Sequence, residues 1–320
     1  MHVFFYEAFE EEEEALRSFL PDHIEAGFTW KTIQEYGADS PPAPIISLRT
    51  QSEIPNQWAG DLDAILSRST GYDHLLAYRR DTGVHVPSGH LPLYCHRAVA
   101  EQALLLWLAL QRKLPQQMGN FSSFHRDGLT GHESEHKNLL VVGVGNIGGQ
   151  VARIGHGLGM NVSCVDLVEK YPAENYVKLE EGLKDADIVV CSMNLTEENR
   201  GYFSYDVLKQ TKPGTLFVNV SRGELSPSEG LMQLLEEGHL AGVGLDVYNE
   251  EKALAGVLRG KAESDHPEVL AAQKLASHPH AILTPHNAFN TEEGVQRKSS
   301  QSVEQIESFL QKGNFIWPVN

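Results

Sequence analysis

Hydrophobic positions follow two different rhythms along the chain. Over residues 3–77, short apolar runs (Val3-Phe4-Phe5-Tyr6, Ile45-Ile46-Ser47 and Ala64-Ile65-Leu66-Ser67) are mixed with helical segments. The glutamate run that begins at Glu10 predicts a helix start, because negative charge suits the positive end of the helix dipole. A solvated helix face accounts for that run. Pro87, Gly89 and Pro92 break the pattern into loop. Residues 97–113 then predict a long, mostly apolar helix ended by Pro115. After a polar stretch, six β-branched runs recur at 139–142, 162–165, 188–191, 216–220, 242–245 and 281–283, with helical segments between them. Positions that are apolar in succession suit strands covered on both faces. Their alternation with helices predicts a parallel, doubly wound α/β sheet with right-handed crossovers. A last helix spans 292–312 and stops at Gly313.

Composition narrows the class without changing that picture. The 320 residues suffice for two domains at roughly 150 residues each. Lys and Arg number 26 against 43 Asp and Glu, a net charge of −17. That balance argues against nucleic acid or an anionic membrane surface as the main partner. A hydrophobic content of 41% excludes wholesale disorder. Cys95, Cys164 and Cys191 are odd in number and far apart, which fits a reducing compartment. The start of the chain carries no cationic leader pattern, and no apolar run reaches the ~18 residues a membrane helix needs. A cytoplasmic location is the expectation.

Gly143-Val144-Gly145-Asn146-Ile147-Gly148 is a GxGxxG placed directly after a predicted strand and opening a predicted helix. Gly143 allows the tight turn, Gly145 lets the backbone approach a pyrophosphate, and Gly148 lets helix and strand pack closely. Asp166 ends the second strand, 23 positions after Gly143. A carboxylate there can accept both ribose hydroxyls of NAD and would repel the 2′-phosphate of NADP. No Arg follows it, so NAD is the expected cofactor.

Ligands in open α/β sheets bind beyond the carboxyl ends of the strands. The fourth, fifth and sixth strands of the regular region are followed by Arg222, by the acids Asp246 and Glu251, and by His286. Hydride transfer between NAD and a 2-hydroxy acid needs a proton acceptor on the hydroxyl, a role histidine fills near neutral pH. A carboxylate beside it would orient the imidazole, and the substrate carboxylate needs a fork of donors that Arg supplies better than Lys.

Several stretches carry a resemblance: the glycine motif with its strand, Lys212-Pro213-Gly214-Thr215, Asn219-Val220-Ser221-Arg222-Gly223, Gly244-Leu245-Asp246-Val247-Tyr248-Asn249-Glu250-Glu251 and Thr284-Pro285-His286. Upstream, Ser69-Thr70-Gly71-Tyr72-Asp73-His74 and the stretch 94–103 match as well. In this order, over about residues 45–290, they resemble the D-isomer-specific 2-hydroxyacid dehydrogenase family. The resemblance implies two Rossmann-like domains. A doubly wound parallel-sheet NAD domain (96–290) would be inserted into a smaller flavodoxin-like substrate domain (1–95), to which a C-terminal helix (291–320) returns. It implies catalytic roles for Arg222, Glu251 and His286. Substrate contacts would come from Thr70 and Gly71 through their backbone N–H groups, from Tyr94 and from Arg222. Cofactor contacts would come from Gly143, Gly145, Asn146, Ile147, Gly148, Asp166, Asn194, Asn199, Val220, Ser221, Asp246 and His286. The 97–113 helix would pack on the NAD domain and form much of a homodimer interface.

Three departures stand out. Asn194 replaces a proline common in the family, and Gln102 replaces a histidine. The 35-position connection from Glu251 to His286 holds a charged segment, 252–274, which reads as a surface insertion. His132-Glu133-Ser134-Glu135-His136 matches the zinc-protease pattern HExxH, but it lies too close to the first Rossmann strand for a supported helix and reads as a polar turn. No metal is expected. Glu251 disfavours the formate dehydrogenase branch and Thr70 the phosphite dehydrogenase branch. The aromatic first strand, the acidic helix and Pro285-His286-Asn287-Ala288-Phe289 look most like D-lactate-type enzymes, which implies a small 2-hydroxy or 2-oxo acid substrate. The alternative is a non-catalytic NAD(H)-sensing protein of the corepressor type, which the acidic charge and the lack of a recognition extension disfavour.

Overall fold

The three apolar runs at the start of the chain become neighbouring parallel strands. A computed structural model describes residues 1–260 and 262–319 and divides the chain into two units, one of Met1–Cys95 with the chain from Asn290 onward and one of His96–Phe289.

In the first unit, β1 (Val3–Phe5), β3 (Ile45–Leu48) and β4 (Ala64–Ser67) are buried at every position. Two strands escaped the sequence reading. One is β2 (Ala26–Phe28), three half-buried residues whose Gly27 lies against the Phe4 ring. The other is β5 (Ser88–Gly89), inside the stretch expected to be loop; it pairs with β4 while the Phe315 ring covers Gly89. All neighbours are parallel, in the order β2-β1-β3-β4-β5. That is the flavodoxin-like order, with its reversal between β1 and β3. At the reversal the Glu7 carboxylate accepts the N–H groups of Arg49, Gln51 and Ser52. Trp58, Tyr6, Ile46, Leu48 and Ile65 centre the core.

The Glu10–Phe19 helix forms as expected, but not all its glutamates face water. Glu12 is fully buried: its Oε1 takes Nε of Arg68 at 2.8 Å and Nζ of Lys298 at 2.9 Å. Arg68, also fully buried, donates its remaining nitrogens to Ser47 Oγ and the Tyr6 carbonyl. Lys298 lies on the Glu292–Lys312 helix, which is capped by the Thr291 hydroxyl and ends at Gly313 with φ 71°, a conformation that suits glycine.

In the second unit the six expected strands are β6 (Asn138–Val142), β7 (Asn161–Val165), β8 (Ile188–Cys191), β9 (Thr215–Asn219), β10 (Leu240–Leu245) and β11 (Ala281–Leu283). They are all parallel, in the order β11-β10-β9-β8-β6-β7. The order reverses between β6 and β8, the place where doubly wound sheets bind ligands. The long apolar helix, His96–Gln111, lies on this sheet: a Cβ at Gly244 of β10 would stand 3.0 Å from Leu106 Cβ. Pro115 sits in the first turn of a further helix, Leu114–Asn120.

The 252–274 segment is not a surface insertion, although Lys261 falls outside the described residues. It supplies most of two helices, Glu251–Leu258 and Pro267–Ala276, whose Leu254, Val269, Ala272 and Leu275 enter the core beside Leu231 and Leu234. Glu268 is buried because its carboxylate accepts the N–H of Ser228 at 2.7 Å, at the start of the Ser228–Glu236 helix. A negative charge at that point satisfies an otherwise unpaired donor.

Candidate active site

The glycine motif folds where the sheet order reverses. Gly143 has φ 89°, and a Cβ there would lie 2.6 Å from the Met193 backbone nitrogen beyond β8. A Cβ at Gly148 would collide with the Gly143 carbonyl. Around the Cβ position of Gly145, by contrast, no described atom lies within 4 Å. Asn146 and Ile147 open the Asn146–Gly157 helix, whose N-terminal N–H groups suit an anion. A dinucleotide pyrophosphate fits this cradle: open space at Gly145, tight packing at the other two glycines, and a helix start in front. Ser192, which has no signature of its own beyond following β8, donates to the Gly143 carbonyl at 2.7 Å and fixes the loop. Asp166 is exposed and reaches the same loop, its Oδ2 accepting the Val144 N–H at 2.5 Å. Leu167 and Val168 beside it are exposed. Asn194 is exposed after β8, and Asn199 acts on it: Asn199 Nδ2 donates to the Asn194 carbonyl while Oδ1 accepts the Thr196 N–H. The Asn199 amide is therefore engaged in the turn.

Arg222, Glu251 and His286 follow three adjacent strands, β9, β10 and β11. Asn219, the buried last residue of β9, builds the Arg222 loop. Its Oδ1 accepts the N–H and hydroxyl of Ser221, and its Nδ2 donates to the Arg222 carbonyl and to Ser226 Oγ. Val220 is buried beside it. Gly223 is required because a Cβ there would overlap the Tyr248 backbone. This close approach brings the Arg222 loop onto the loop that leads to Glu251.

His286 itself has φ 52°, and Glu250, just before Glu251, has φ 54°. Such strained backbone persists only where the surroundings determine it. At His286 the surroundings are Asp246, which is fully buried. Its Oδ1 accepts the Thr284 hydroxyl at 2.5 Å and the Asn287 N–H at 2.9 Å, and its Oδ2 accepts the Ala288 N–H at 2.8 Å. Burial raises the Asp246 pKa, partly offset by these hydrogen bonds and by the His286 charge. Gln102 extends the chain of contacts by donating to Thr284 Oγ1 at 3.2 Å. Above this anchor, His286 Nδ1 lies 2.8 and 3.0 Å from the two Glu251 oxygens, with both side chains about one-fifth exposed. A carboxylate accepts, so Nδ1 carries the proton, and Nε2 has no hydrogen bond among the described residues. The ring is thus held in one tautomer with its other nitrogen available for proton exchange.

Thr70, Gly71 and Tyr94 belong to the first unit. The Thr70 hydroxyl donates to the Leu91 carbonyl at 3.2 Å, and Tyr94 is buried, which raises its phenol pKa well above the ordinary value. The HExxH segment forms no helix and ends in a turn at His136, so its two histidines do not share a helix face. Among the described residues no three His, Cys, Asp or Glu side chains gather as metal ligands, and no helix is long and apolar enough to cross a membrane.

The family model for the NAD-binding domain of D-isomer specific 2-hydroxyacid dehydrogenases matches residues 104–288. The chain is 33% identical over 261 residues to 2-hydroxyacid dehydrogenase A of Aspergillus oryzae, covering 80% of this chain and 74% of the relative. It is 30% identical over 240 residues to an aromatic 2-oxoacid reductase of Clostridium sporogenes, covering 73% and 71%. Among solved structures, D-lactate dehydrogenase of Aquifex aeolicus in complex with NAD and lactic acid superposes with a TM-score of 0.84 at 25% identity, over 98% of this chain and 99% of that one. The chain belongs to the D-isomer-specific 2-hydroxyacid dehydrogenases, NAD-dependent oxidoreductases that act on a CH–OH group.

Proposed function

We propose that the chain interconverts a small D-2-hydroxy acid and its 2-oxo acid, with a lactate-like substrate preferred. The observation that carries this reading is the two-oxygen grip of Glu251 on His286 Nδ1, on loops beside the one that carries Arg222. The cofactor, when bound, supplies or accepts the hydride at C2 of the substrate. His286 Nε2 gives the proton to the 2-oxo oxygen in reduction and takes it from the hydroxyl in oxidation. Glu251 keeps the ring oriented, and Asp246 holds the strained turn beneath it. Arg222 forks onto the substrate carboxylate and polarises the 2-oxo group. The N–H groups of the Thr70–Gly71 loop and the Tyr94 side chain are further substrate contacts. Gly143, Gly145, Asn146, Ile147, Gly148, Asp166, Asn194, Val220 and Ser221 hold the cofactor, with Asn199 acting through Asn194. The preference for a small side chain is supported by the likeness to the lactate complex, whereas the aromatic 2-oxoacid relative is the natural rival. With NADH in excess, kcat/KM should be higher for pyruvate than for phenylpyruvate; the reverse order would overturn the lactate-like part of the reading.

Asp166 sets a second expectation. NADH should exceed NADPH in kcat/KM by at least about tenfold, roughly 1.4 kcal/mol, and Asp166→Asn should narrow the ratio by removing repulsion of the 2′-phosphate. Equal use of both cofactors by the unaltered protein would refute this.

A homodimer is also proposed. Leu105, Met118, Phe121 and Phe124 are 54%, 70%, 77% and 73% exposed within one short stretch that follows and includes the long apolar helix. So much apolar surface suits a partner surface of the same kind. Sedimentation equilibrium should return twice the chain mass, and Met118→Asp with Phe121→Asp should return the chain mass. Three free, buried cysteines suit a reducing, cytoplasmic setting.

A further inference from the structure

Both peptide planes of the Thr70–Gly71 loop are clamped from within the first unit. In a trans peptide the C=O and the following N–H point in opposite directions. The Thr70 carbonyl lies 3.0 Å from His90 Nδ1, and a carbonyl only accepts, so Nδ1 is the donor. The Gly71 N–H is therefore turned away from the His90 ring. The Gly71 carbonyl accepts the Ser69 hydroxyl at 2.7 Å, which turns the Tyr72 N–H away in the same manner.

Each clamp is itself held. His90 donates its N–H to the Trp317 carbonyl and accepts Gln305 Nε2 on its own carbonyl, and the Tyr72 ring packs edge-on against the imidazole at 4.6 Å. Burial lowers the His90 pKa, so the ring is neutral near pH 7 and keeps the Nδ1–H tautomer. Ser69 Oγ is 2.6 Å from Ser67 Oγ, which is 2.9 Å from His74 Nε2. Proton counting gives this chain one direction. Ser69 uses its only hydrogen on Gly71, so Ser67 must donate to Ser69, and His74 Nε2–H must donate to Ser67.

We propose that His90 and the His74–Ser67–Ser69 chain are positioning residues that aim the Gly71 and Tyr72 N–H groups at the carboxylate of the 2-oxo acid. This rests on the proposed role of the Thr70–Gly71 loop as a carboxylate site. Because a carboxylate is present in both ground and transition states, loss of aim should appear mainly in KM.

The experiment uses the full-length protein, NADH and pyruvate, with oxamate as a non-reducible probe. His90→Leu should raise the pyruvate KM and the oxamate Kd about tenfold while kcat changes less and NADH binding does not move. His90→Asn should recover most of the loss, because its amide nitrogen can take the place of Nδ1. Ser69→Ala, a smaller change for the fold, should raise KM about three- to tenfold, the range expected for one lost hydrogen bond. If Arg222→Lys weakens pyruvate binding but His90→Leu and Ser69→Ala leave KM and the oxamate Kd unchanged, the clamp is refuted and the site reading stands. If His90→Asn behaves like His90→Leu, the donor at Nδ1 is not what matters and the proposal also fails. A wild-type protein that reduces no 2-oxo acid would overturn the site reading and this inference together.

Discussion

His286→Ala should lower kcat for 2-oxo acid reduction by about 10²- to 10⁴-fold, the usual contribution of a positioned general acid. NADH affinity should fall far less than the rate, because the glycine loop and Asp166, which carry most of the cofactor contacts, lie on other strand ends. Glu251→Gln should show how much of that contribution depends on orientation. A glutamine offers no negative charge to balance the imidazolium that gives the Nε2 proton in reduction. By presenting an N–H to Nδ1 it also favours the neutral tautomer with the proton on Nε2, which cannot take the hydroxyl proton in oxidation. Its kcat should therefore fall by at least about 10²-fold without a matching change in KM. Stopped-flow measurement of NADH oxidation under single-turnover conditions separates this chemical step from product release. Wild-type rates in either variant would remove the pair from the mechanism.

Glu12→Gln should destabilise the first unit by about 3–5 kcal/mol, since it leaves Arg68 as a buried cation without its anion and removes the charge that favours protonated Lys298. Glu12 is held charged by its cationic neighbours: against the penalty of burial, Arg68, Lys298 and Arg49 bring its pKa down to about 2. Lys298 is in the opposite position. Burial pushes its ammonium pKa down to about 7; Arg49 and Arg68 push the same way, and Glu12 opposes them only in part. The signs then follow. The Glu12 contribution is present above the ordinary carboxylate range and is lost as pH falls from about 4.5 towards 2. The folded state favours neutral Lys298, so its effect on stability worsens as pH falls from about 10.5 to 7 and is constant below that. Lys298→Met should accordingly be neutral or stabilising at pH 7 and should flatten the stability profile between pH 7 and 10.5. Urea unfolding at several pH values checks all three statements.

Apolar strands and glycine turns were legible in the sequence because each declares itself locally. The six runs of the second unit are mostly apolar at successive positions, and Gly143 and Gly148 sit where only glycine fits. The order of Arg222, Glu251 and His286 along the chain was equally legible, since each follows a strand. What stayed hidden depends on contacts between distant residues. Nothing in five consecutive glutamates distinguishes Glu12, whose burial follows from Arg68 and Lys298 far along the chain. Ser88–Gly89 is too short to register as a strand and lies among helix and strand breakers. Charged composition disguised the 252–274 helices, although Leu254, Val269 and Leu275 enter the core. Asn219 and Asp246 were visible as family-like positions, but their work, tying loops through several acceptors, shows only in three dimensions.

The most direct measurement is the configuration of the product. Purified protein with NADH and pyruvate should oxidise NADH stoichiometrically and yield D-lactate on chiral chromatography, and His286→Ala should yield almost none in the same time. Failure of NADH oxidation with pyruvate and every other 2-oxo acid tried, or formation of the L-isomer, would contradict the assignment of this site to D-specific 2-hydroxy acid chemistry.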